Sequence, residues 1–125
     1  MLPPRLPKKH KRDSRWRSPA HLNFVRSHGC SIVGCGDLPI EAAHVRLGSH
    51  TGMGQKPDDW RAVSLCKRHH AMQHSIGEAS FWLKYQEGWA ANRTPDTIDR
   101  LIEAFAKASP RAAEIARVKK EREDG

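Results

Sequence analysis

Hydrophobic and polar positions along the 125-residue chain change period several times, and each change marks an element. Ile98, Leu101, Ile102 and Phe105 recur at i, i+3, i+4 and i+7, one apolar face of an amphipathic helix that should lie on the core. Thr94 and Pro95 stand just upstream as N-cap and first helical residue. Beyond Ser109-Pro110 the pattern restarts as a charged helix over residues 111–123, where the apolar positions Ile115 and Val118 are few. Such a helix reads as an exposed or frayed end. Upstream, residues 38–47 mix β-branched and small side chains and predict a short strand ending near His44. Residues 60–65 predict a second strand running into Cys66, residues 67–76 a helix stopped by Gly77, and residues 78–86 another helix. The loop over residues 48–57 holds three glycines and can approach a ligand closely. A short helix or turn is expected over residues 21–26, leading into a knuckle-type loop from Cys30 to Cys35. Residues 1 to about 20, broken by Pro3, Pro4, Pro7 and Pro19, read as an arm with no stable structure of its own. No internal repeat is visible.

Composition narrows this outline to one domain with a modest core, because 38% of residues are apolar and the mean hydropathy is −0.73. No apolar run approaches the ~20 residues that span a bilayer, and the first residues lack the apolar stretch of a signal peptide. A soluble, cytoplasmic protein without a membrane partner is the expectation. The net charge of +8 is concentrated at one end, since residues 1–28 carry eight Lys/Arg against one Asp, a local +7. Cations around Trp16, among them Arg15 and Arg17, suit a phosphate backbone, from which they would release counterions. A solvated tail is the plainer alternative, and the two are compatible if the arm orders on binding.

Three cysteines cannot form a closed disulfide framework, and all three lie between Cys30 and His74 with five of the eight histidines. Cys30-x4-Cys35 and Cys66-x2-His69 are two pairs of soft ligands at knuckle spacing, which together supply the four positions of a closed, structural zinc site. Three buried free thiols are the alternative. His70 and His74 stand at i and i+4 on one helical face and can converge on a second cation, while His69 lies about 100° round the helix from His70. A pair of surface histidines would show the same spacing. His44, at the predicted strand end, is a candidate general base for hydrolysis, against the plainer reading of a structural histidine.

The order of these pieces is similar to that of the HNH or ββα-metal nucleases. Cys-x4-Cys is followed by Glu41-Ala-Ala-His44, a glycine-rich loop, Lys56-Pro-Asp-Asp-Trp60 and Leu65-Cys-Lys-Arg-His-His-Ala-Met-Gln-His74. The run resembles small phage and prophage members of that group, including Ref-like recombination nucleases. The resemblance implies an α+β fold: a small ββα-metal core with structural zinc knuckles, flanked by α-helices and the basic N-terminal arm. It leaves both ends of the chain unexplained; with the elements read there, the chain divides into an arm (1–20), a zinc-stabilised nuclease core (21–90) and C-terminal helices packing on or extending from the core (91–125). The resemblance also implies that His44 activates water, that His70 and His74 hold one catalytic Mg2+, Mn2+ or Zn2+, and that the cation stabilises the leaving 3′ oxygen. Two positions depart from the family. Ala43 stands where many members have an Asp or His ligand, so waters and phosphate, His50 or an Asp would complete the shell. The middle asparagine has no counterpart near Trp60, where Asp58 or Asp59 could make its backbone hydrogen bonds. Arg46, Lys56, Arg61, Lys67 and Arg68 surround the centre and could position phosphates without reading sequence. The expected activity is a DNA endonuclease of low sequence specificity, working in the host cytoplasm if phage-encoded and beside recombination or replication proteins. An inactive zinc-stabilised DNA-binding module on the same scaffold, and a zinc-storage site using all the histidines, are the alternatives.

Overall fold

Two short strands pair antiparallel at the centre of the chain. In the computed structural model, which describes residues 15–49, 56–89 and 97–124, β1 (Ile40–His44) lies against β2 (Ala62–Cys66), with Ile40 opposite Cys66 and His44 opposite Ala62. Around this hairpin are α1 (Pro19–Arg26), α2 (Lys67–Ile76), α3 (Glu78–Trp89), α4 (Thr97–Ala108) and α5 (Ala112–Asp124). The architecture is mixed α+β, with one two-stranded sheet and five helices among the described residues. No helix there is long and apolar enough to cross a membrane.

Every residue of β2 is buried, Ser64 included, because α1, α2 and α4 all pack against the hairpin. The core gathers Val25, Val45, Val63, Leu65, Phe81 and Trp82 with Ile98, Ile102 and Phe105 of the α4 face. That face is therefore turned inward as its spacing predicts. Burying a side chain the size of Phe81, which is 0% exposed, contributes about 2–3 kcal/mol. α2 begins at once after β2, with Cys66 as its N-cap accepting from the His69 N–H, and ends at Gly77, whose φ of 89° suits a residue without Cβ.

Three expectations change. The second strand starts later, because Asp59–Arg61 forms a 3-10 turn that seats Trp60 under α5 before extended backbone begins at Ala62. The expected arm ends earlier. α1 starts at Pro19, capped by Ser18, whose hydroxyl accepts from the His21 N–H at 3.1 Å. Trp16 is 8% exposed, stacked at 5.5 Å on Trp60. The last helix is mostly exposed, as expected, but it is docked rather than frayed: Ile115 is 2% exposed beside Trp16, Trp60 and Ala106, and Glu114 accepts from Trp16 Nε1 at 2.8 Å. One buried side chain, Ile115, with half-buried Val118 a turn further on, packs the helix against the two tryptophans. The N-cap expected at Thr94, His50 and most of the glycine loop, and the first fourteen residues lie outside the described residues.

Candidate metal centre and histidine cavity

The knuckle loop, the end of β2 and the first turn of α2 bring four soft ligands together. The ligand atoms of Cys30, Cys35, Cys66 and His69 all lie within 4.8 Å of one another. Nδ1 of His69 is 3.5 Å from Cys30 Sγ and 3.4 Å from Cys66 Sγ, and the Cys35 and Cys66 sulfurs are 3.9 Å apart. A tetrahedral zinc with Zn–S of about 2.3 Å and Zn–N of about 2.0 Å requires S···N near ~3.5 Å and S···S near ~3.8 Å. The four residues are thus close enough to hold a metal ion, at separations that suit zinc. All three cysteines are free thiols. Burial pushes the Cys30 thiol up to about 11, whereas a backbone hydrogen bond at Asp37 brings Cys35 down. Burial also lowers His69, which favours the neutral imidazole a metal requires. The His69 ring is held from α3 by Tyr85 and Phe81, at centroid distances of 5.3 and 6.2 Å.

A separate cavity of about 430 Å3 opens beside β1. Among the described residues its lining includes Ala42, His44 and Arg46 from the strand and its exit, His70 and His74 from α2, Arg26 from α1, and Lys56. The helical spacing does what geometry demands: the His70 and His74 rings are 4.9 Å apart and share the cavity, while His69 faces the cysteines. Strand alternation sends His44 to the cavity and Ala43 to the core, where it is 0% exposed. An acidic ligand at residue 43 would therefore point into apolar packing. Only the Cys3His group brings three or more candidate ligands close together among the described residues, so His70 and His74 form an open pair.

Each of two cavity histidines has one ring nitrogen occupied by a carboxylate. His44 Nε2 is 2.8 Å from Asp59 Oδ1, and His70 Nδ1 is 2.7 Å from Glu41 Oε1. Asp59 is 2% exposed and also accepts from the Ser18 N–H at 2.8 Å and from Arg17 Nη1 at 3.1 Å. Burial opposes its charge, but the bonds from His44 and Ser18 prevail and hold the carboxyl below its ordinary value. Asp58 accepts from the Trp16 N–H and from Arg122. The aspartates thus tie the turn to the N-terminal segment and α5 by their side chains, and Asp59 reaches His44 as well.

The cations expected near the centre separate into groups. Arg46 and Lys56 line the cavity. Arg61 turns to the strand exit, donating to the carbonyls of Val45 and Leu47, and burial lowers its pKa. Arg68 pairs with Asp37 at 2.9 Å on the knuckle side, and Lys67 is exposed at the start of α2. Arg17 is spent on Asp59 and on the carbonyls of Lys56 and Pro57. Arg15 is partly buried. Arg26, Glu41 and Glu78 were given no role from sequence, and Asp59 only that of making backbone hydrogen bonds. Glu78 opens α3 and accepts from the N–H groups of Arg46 and Leu47, fixing the strand exit beside the cavity. Its place in the first turn of a helix was the one readable signal. No family model, curated protein or solved structure matches the chain.

Proposed function

We propose that the chain is a metal-dependent DNA endonuclease of HNH type that hydrolyses phosphodiester bonds with low sequence specificity. The observation that supports this best is the convergence of His44, His70 and His74 with Arg26, Arg46 and Lys56 on one cavity, apart from the Cys3His group. A structural zinc module needs none of those histidines. The three cations can neutralise a phosphate, and none belongs to an element that reads base edges. His44 is the general base. His70 and His74 are the protein ligands of the catalytic cation, with Glu41 orienting His70 as carboxylates orient metal-bound imidazoles. When bound, a divalent cation there supplies stabilisation of the charge that grows on the leaving 3′ oxygen. The Cys3His group holds a structural zinc.

Supercoiled plasmid incubated with the zinc-loaded protein and Mg2+, Mn2+ or added Zn2+ tests the reading. Wild type should nick, and His44→Ala should lose about 10²- to 10⁴-fold in rate. An intact plasmid under every metal, or equal cutting by the variant, would leave the inactive DNA-binding module as the better description.

A further inference from the structure

His44 has two ring nitrogens, and only one can serve as base. The nitrogen that donates a proton to a hydrogen-bond partner leaves the lone pair on the other. Here Nε2 is 2.8 Å from a carboxylate oxygen that is almost wholly buried. An ionised carboxylate can only accept, so the bond requires the proton on Nε2. We propose that Asp59 is a positioning residue that locks His44 in the Nε2–H tautomer, leaving Nδ1 to take the proton from water, and that Arg17 and Ser18 hold Asp59 in place.

The proposal deepens the nuclease reading and rests on it for the reaction, though the tautomer can be measured without any reaction. The resemblance to HNH nucleases assigned no side-chain partner to His44, and gave the aspartates near Trp60 only backbone hydrogen bonds. Asp59 instead divides its oxygens: Oδ1 takes His44 and Arg17, and Oδ2 takes the Ser18 N–H. The rigid donor is the backbone one, since Ser18 also caps α1. With the carboxylate fixed from behind, the imidazole cannot rotate without giving up a buried charged bond. As the water oxygen bonds to phosphorus, its proton passes to Nδ1. The bond to the 3′ oxygen breaks, that oxygen takes a proton from another water, and the hydroxide so formed is neutralised as the His44 imidazolium returns its proton to solvent. Asp59 stays ionised throughout and stabilises the imidazolium that forms, so no proton moves along the pair.

Long-range proton–nitrogen correlation spectra of 15N-labelled, zinc-loaded protein read the tautomer directly, with His44 assigned by its loss in His44→Gln. At a pH where His44 is neutral, wild type should show a protonated Nε2 and an unprotonated Nδ1. In Asp59→Asn the Ser18 N–H keeps the amide oxygen on its own side and turns the amide NH2 toward His44. The tautomer should then reverse, and kcat for nicking should fall about 10²- to 10⁴-fold with KM little changed. Zinc content and circular dichroism establish that the variant is folded; if it is not, the wild-type spectrum decides. Protonation on Nδ1 in wild type overturns the proposal, as does an Asp59→Asn protein whose tautomer and rate are unchanged. A plasmid left intact in every metal refutes the nuclease reading, yet an Nε2–H form that reverses in Asp59→Asn still supports Asp59 as the residue that sets the tautomer.

Discussion

His21 is fully buried in α1, with Nδ1 2.8 Å from Ser109 Oγ and no hydrogen-bond partner for Nε2 among the described residues. Protonation would place a second N–H and a charge in that setting. Burial accordingly lowers its pKa from 6.5, an effect that the Asp59 charge opposes and His44 reinforces. The unfolded chain, where this histidine is free, takes up its proton first as pH falls. Stability is then present in full above about pH 6.5 and is lost on acidification toward the lower folded value. Thermal melts from about pH 7 to about pH 5 should show a falling midpoint, and His21→Gln, which can still bond Ser109, should fall less steeply. Equal slopes would assign the pH dependence to other groups. Asp59 has the same sign but a different window: its carboxyl, held below 3.8, loses its bonds only under stronger acid. Neither burial was legible in the sequence. His21 lies between Ala20 and Leu22 in a short helical stretch, but the groups it interacts with lie 38 and 88 positions away at Asp59 and Ser109.

At the scale of elements, periodic patterns forecast what the chain does locally, and single side chains decide what docks. α2 matches its expected limits because Cys66 and Gly77 bracket it in the sequence itself. α5 could not be placed that way: two apolar positions do not make a stripe. Its docking rests on Ile115, on Glu114 bonded to Trp16 across 98 residues, and on Arg122, which reaches Asp58 and lies 5.0 Å over the Trp60 ring. Trp16 was equally misleading, since its basic neighbours suggested nucleic acid while its indole belongs to the fold. Trp16→Ala should therefore cost about 3–5 kcal/mol in chemical denaturation, with α5 loosened first in hydrogen exchange. A loss below about 0.5 kcal/mol would restore the reading of a dispensable tail. Arg17 shows the same division, because its guanidinium serves Asp59 and the carbonyls of Lys56 and Pro57 just before the turn.

For the whole molecule, the Cys3His group is where elements distant in sequence meet, with its ligand atoms close enough together to hold a metal ion. It joins the knuckle loop to the β2–α2 junction, and the aromatic rings of α3 close over His69. That group was readable because its ligands come in two sequence-local pairs whose spacing reflects how a chain wraps a tetrahedral ion. The cavity was readable only in part: His44, His70 and His74 announce themselves by position, but Asp59, Glu41 and Arg26 reach them through the packing of other elements. The two sites therefore predict different consequences of losing a ligand. Zinc binding to small domains is worth about 10–16 kcal/mol, more than the ~5–15 kcal/mol total stability of a typical domain, so the fold should not survive its removal. Cys66→Ala should lose bound zinc and its helical dichroism together, and a strong chelator should do the same to wild type. His70→Ala should keep about one tightly held zinc and its thermal transition while losing nicking activity. Zinc loss in His70→Ala as severe as in Cys66→Ala would mean that the histidine cavity and the cysteine group are one metal centre.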